Sequence, residues 1–99
     1  MSNAIMYASF KLASGASVSD FLQVSEKLHR EFMSKQKGFI SWKQLVDGDV
    51  WADLLTWETM DDAKNVMAAS YTDAVAQEFF SFLDMESVEA RFFSVERSY

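Results

Sequence analysis

The chain has 99 residues, near the modal size of one domain, so residues 1–99 are expected to pack around one core. Apolar residues make up 49% and charged residues 24%, which excludes disorder through low hydrophobicity. A formal charge of -6 has the wrong sign to draw a phosphate backbone or an anionic bilayer, so neither nucleic acid nor membrane is expected as a partner. With no cysteine there is no disulfide framework, thiolate metal site or thiol nucleophile, and one histidine cannot build an all-imidazole zinc site within a chain.

The opening segment has no basic stretch followed by a long apolar run, so a cytoplasmic location is expected. Ser2, Asn3 and Ala4 read as an expression scar and are set aside. Ile5 to Leu12 alternates as a strand, with Met6, Ala8, Phe10 and Leu12 on one side. A turn at Ala13 to Ala16 follows. Ser17 or Ser19 then caps a helix expected to reach about Gln36, with Gly38 where a left-handed residue ends it. Phe39 to Val46 and Val50 to Trp57 are β-formers joined by Asp47-Gly48-Asp49, a hairpin signal. Thr59 and Asp62 resemble a capping pair opening a second helix, which a polar stretch from Ser70 to Asp73 breaks in two. Val88 to about Glu96 reads as the last strand. The order β-α-β-β-α-β predicts a ferredoxin-like α+β fold, a four-stranded antiparallel sheet with its helices on one face. The other face carries bulky apolar groups, so homodimerisation through the sheet faces is expected.

On a wheel of about 100° per residue, Val18, Phe21, Leu22, Leu28, Phe32 and Met33 of the first helix form one apolar arc. Ser25 and His29 fall inside it, stacked four residues apart. They read either as a satisfied core edge, with Ser25 bonding back to the carbonyl four residues earlier, or as part of a pocket in which His29 is acid or base. If the hairpin loop holds two residues, Ile40, Trp42, Gln44, Trp51, Asp53, Leu55 and Trp57 share one face. A three-residue loop would reverse one strand's parity. A tryptophan stripe is most simply core, but a carboxylate within it must be paired, solvated or raised in pKa, which makes Asp53 a site candidate. Asp47, Asp49 and Asp53 lack the glycine position of a calcium loop, and no phosphate cradle or G-x-S-x-G elbow occurs. Arg91 and Arg97 fit ion pairing or carboxylate binding.

The order of elements, the strand ending Leu54-Leu55-Thr56-Trp57-Glu58 and the helix opening Thr59-Met60-Asp61-Asp62-Ala63 together resemble the antibiotic biosynthesis monooxygenase-like family of the dimeric α/β-barrel superfamily. The resemblance implies a dimeric α/β barrel and an oxygenase of phenolic or anthrone-type compounds that uses neither metal nor organic cofactor. It matches Trp57 to the family's pocket tryptophan. Asp53 stands near where the oxygenases carry an asparagine, and an ionised Asp cannot donate to an oxyanion as an amide does. The haem-degrading branch places an axial histidine on the second helix, where this chain has none, so haem degradation is not expected.

His29, Asp53 and Trp57 are thus the candidate catalytic residues, expected to converge on one cavity, with His29 or Asp53 as base. Ser25, Trp42, Gln44 and Tyr71 are the candidate substrate-binding residues. The leading expectation is a cofactor-independent monooxygenase acting on a small aromatic or quinol-type metabolite. The alternatives are a non-catalytic dimeric domain that binds an apolar metabolite or a protein partner, and an accessory protein with no small-molecule site.

Overall fold

The computed structural model describes residues 3–99; the expectation for Ser2 falls outside them. The elements are β1 (Ala4–Leu12), α1 (Val18–Glu31), β2 (Phe39–Asp47), β3 (Val50–Trp57), α2 (Met60–Ser70), α3 (Ala74–Ser81) and β4 (Leu83–Ser94). The strands form one antiparallel sheet in the order β2-β3-β1-β4, the split β-α-β arrangement expected. Ala4 belongs to that sheet: it is buried and pairs with Trp57 and Ser94, so β1 starts one residue before the expected Ile5.

α1 starts where Ser17 accepts a hydrogen bond from the Asp20 amide, and it ends earlier than the expected Gln36. Phe32 leaves helical geometry at φ -130°, and Met33–Lys35 form a separate 3₁₀ turn. The break lets Phe32 and Met33 both turn into the core, which a continuing helix would have aimed 100° apart. Gly38 then takes φ +79°. α2 opens on Thr59, whose hydroxyl accepts from the Asp62 amide, and α3 opens on Asp73, which accepts from Ala76.

Asp47 pairs with Val50, so the hairpin loop holds two residues and Gly48 sits at φ +63°. Trp42 pairs with Leu55, Gln44 with Asp53 and Val46 with Trp51, which brings all three tryptophans to the helix-covered face. A register shift between Phe39 and Ser41 alters one member of the expected row: Ile40 turns outward, 47% exposed, and Phe39 takes its place, standing edge-to-face with Trp57 at 5.6 Å. The core lies between this face and the helices, with Phe10, Phe21, Leu28, Leu55, Trp57 and Phe79 among its members.

β4 begins earlier than expected and is interrupted. Lys11 and Leu12 pair with Asp84 and Leu83, whereas Ser9 pairs with Glu89, so Met85–Val88 bulge from the ladder. Ser87 secures the bulge, its hydroxyl accepting from the Lys11 amide at 2.8 Å and donating to the Asp84 carbonyl at 2.6 Å.

Candidate functional site

Ala8 lies opposite Asp53 across β1 and β3, and its methyl is too small to fill the gap between sheet and helices. What remains is a cavity of about 430 Å³. Its floor comes from Met6, Ala8, Asp53 and Leu55 of the sheet, and its walls from Phe32, Met33, Val66, Ala76, Phe79 and Leu83. Met67, Tyr71, Gln77, Phe80 and the β4 bulge residues Met85 and Val88 also line it. Tyr71 is 67% exposed and Met85 56%, which places them at the rim.

Among these mostly apolar groups Asp53 is the only carboxylate. It is 6% exposed. The Trp42 indole N–H donates to its Oδ1 at 3.0 Å. Burial pushes the Asp53 carboxyl up to about 7, and the hydrogen bond from Trp42 opposes that rise without cancelling it. Both protonation states are therefore accessible near neutrality, in a site where water competes little for the carboxylate.

Trp42 has a second environment. With Leu22, Ser25, Glu26, His29 and Gln44 it borders a separate cleft of about 230 Å³. Gln44 donates to Ser25 Oγ at 3.0 Å, and Ser25 in turn donates to the Phe21 carbonyl at 2.8 Å, the back-bonded arrangement expected of a serine on a helix. His29 is exposed, its ring 5.6 Å from Phe39 and 6.4 Å from Trp42. The expected apolar arc of α1 is rotated. Phe21, Val24, Ser25 and Leu28 are buried, whereas Val18 and Leu22 are 48% and 44% exposed, so His29 lies on the margin of the packed face.

The candidate residues are therefore divided. Asp53, Trp42 and Tyr71 line the cavity; Ser25, His29 and Gln44 line the cleft, sharing Trp42 as a wall. Trp57 lines neither. It is fully buried in the core, and its Nε1 has no hydrogen-bond partner among the described residues. The expected convergence of His29, Asp53 and Trp57 on one cavity is thus corrected, because Phe39 and Trp42 intervene between the imidazole and the hollow while Trp57 packs beneath Phe39.

Two polar cavity residues escaped the sequence reading. Ser70 donates to the Met67 carbonyl, and Gln77 Nε2 donates to the Ser70 and Tyr71 carbonyls, stapling α3 across the break from α2. Gln77, a polar residue between the apolar Ala74-Val75-Ala76 and Phe79-Phe80, was the available signal. Arg91 does not reach the cavity and instead stacks over Phe93 at 5.0 Å. No helix among the described residues is long and apolar enough to cross a membrane.

No protein-family model and no curated protein matches the sequence. Solved structures do. SnoaB, a cofactor-independent oxygenase from Streptomyces nogalater, superposes with a TM-score of 0.79 at 14% identity, covering 99% of this chain and 97% of that one. A Caulobacter crescentus protein provisionally named an antibiotic biosynthesis monooxygenase gives 0.76 at 13% identity, covering 97% and 92%. A conserved protein from Methanosarcina mazei gives 0.70 at 16% identity, covering 94% and 92%. The chain has the ferredoxin-like fold of the antibiotic biosynthesis monooxygenase-like proteins.

Proposed function

We propose that this chain is a cofactor-independent monooxygenase acting on a small aromatic or quinol-type molecule, with Asp53 as its base. The observation that carries the reading is one buried carboxylate, poised near neutrality, on the floor of an apolar cavity large enough for a fused-ring ligand. The fold shared with SnoaB supports it. A substrate that supplies its own electrons must first lose a proton. Ionised Asp53 takes it from an acidic C–H or O–H, and the resulting carbanion or phenolate passes one electron to dioxygen. Recombination at carbon gives a hydroperoxide, which loses water to leave a carbonyl; one oxygen atom enters the product and the other leaves as water. Protonated Asp53 can return its proton to the departing hydroxide.

Trp42 holds Oδ1 of Asp53 and thereby fixes the direction of Oδ2. The Tyr71 hydroxyl at the rim is the group we assign to the substrate oxygen, a role that an ionised Asp53 cannot take as the asparagine of related oxygenases would. Trp57 supports the floor of the site from the core. Ser25, Gln44 and His29 act from the neighbouring cleft, bracing Trp42 from behind. We further propose that two copies associate through the sheet face opposite the helices, where Tyr7, Leu45, Leu54 and Phe93 point outward.

Oxygen consumption measured against a panel of hydroquinones and anthrones tests the reading. Uptake with at least one compound is expected, falling by about 10²- to 10⁴-fold in Asp53→Asn and little in His29→Ala. Binding without uptake by any compound would favour the alternative of a non-catalytic domain for apolar metabolites.

A further inference from the structure

Six methionines occur in the chain, and Met6, Met33, Met67 and Met85 all line the cavity that holds Asp53. They come from β1, the 3₁₀ turn after α1, α2 and the β4 bulge, so no periodicity within one element accounts for their meeting. Met60, at the start of α2, packs against the core without lining the cavity. Leucine would fill comparable volume with a better-defined rotamer. What the thioether adds is a polarisable sulfur whose lone pair accepts an oxygen atom. Ala8 faces Asp53, and Met6 lies two positions along the same strand, which sets Met6 on the diagonal from Asp53 at roughly 7–8 Å between Cα atoms. No cysteine is present to compete for an oxidant.

We propose that the cavity methionines are oxygen-acceptor sites for an apolar organic hydroperoxide bound beside Asp53. The O–O bond breaks and an S–O bond forms between the terminal oxygen and the methionine sulfur. Sulfur is oxidised to the sulfoxide, the hydroperoxide is reduced to the alcohol, and the hydroperoxide proton ends on the alcohol oxygen, relayed through the Asp53 carboxyl. Each sulfoxide makes the wall polar, so the modification shuts the cavity to the apolar ligands that filled it. The inference deepens the oxygenase reading, whose chemistry generates such a hydroperoxide, yet the transfer itself requires only the peroxide.

The test treats the intact protein with cumene hydroperoxide and, in parallel, with hydrogen peroxide, and quantifies sulfoxide at each methionine by peptide mass spectrometry. Met6, Met33 and Met67 should oxidise several-fold faster than Met60 with cumene hydroperoxide. Naphthalene, an apolar fused-ring probe with no oxygen to transfer, should fill the cavity and so slow these three while leaving Met60 unchanged, and hydrogen peroxide should abolish the preference. Met60 keeping pace under cumene hydroperoxide would overturn the proposal. Equal protection of every methionine by naphthalene, or the same preference with hydrogen peroxide, would overturn it as well. Because no quinol turnover is involved, a chain that consumes oxygen with no substrate would sink the oxygenase reading alone.

Discussion

The burial of Asp53 costs the fold stability at the pH where its carboxyl ionises. Burial pushes its carboxyl from 3.8 up to about 7, so between those values the folded state holds a proton that the unfolded state has lost. Stability therefore falls as pH rises from about 4 through about 7, by up to about 4 kcal/mol at the conversion of 1.36 kcal/mol per pKa unit. Chemical denaturation across pH should show that decline in the parent and a much flatter profile in Asp53→Asn, with the variant the more stable of the two at pH 8. Trp42 sets the other side of the balance, since its N–H favours the charged form. In Trp42→Phe the apparent pKa of the oxygen-uptake profile should move above 7, lowering the rate at neutrality and recovering it in alkali. A uniform loss at all pH values would instead mean that the indole acts only by packing.

At the scale of elements, glycines in similar backbone conformations have unequal consequences. Gly38 and Gly48 both lie at positive φ, but a Cβ at Gly38 would overlap the Asp62 side chain, whereas Gly48 has open space. Gly48→Ala should cost about 1–2 kcal/mol through left-handed strain alone, and Gly38→Ala clearly more because the start of α2 must also shift. Thermal unfolding of the pair checks the order. Equal losses would show that Asp62 yields freely.

Much of the element map was legible because its signals are local. The hairpin follows from Gly48, the caps from Ser17 and Thr59, and the helix-facing tryptophans from the parity of a two-residue loop. The cavity was less legible. Asp53 could be singled out as a charge in an apolar row, but its depth depends on Ala8, a small residue on a neighbouring strand whose partner sequence periodicity does not reveal. His29 lies shallower than its place in the apolar arc predicts because Val24, not Leu22, is on the buried side of α1, and tertiary packing against the sheet decides that rotation. The β4 bulge, which brings Met85 and Val88 to the cavity, leaves only a short local trace: Asp84 accepts from the Glu86 amide and Ser87 bonds back to the Asp84 carbonyl, a pattern that a strand end shares.

For the whole molecule, one sheet face is covered by helices and the other is open, with Leu45 and Phe93 more than 40% exposed beside Lys43 and Arg91. Apolar side chains mixed with charges are the composition of an interface with a polar rim. Sedimentation at micromolar concentration should give a species of twice 11.3 kDa, and Leu54→Glu should shift it toward the monomer. A single 11.3 kDa species in the parent would remove the proposed association while leaving the cavity as described. The chemistry and the packing meet in the ionisation of one side chain, and carbon-13 NMR titration of the Asp53 carboxyl, assigned by its loss in Asp53→Asn, tests that point most directly. A midpoint at about 7 is predicted. A midpoint near 4, the value of a solvated aspartate, would contradict the account, because a carboxyl so acidic would be neither desolvated nor poised as a base.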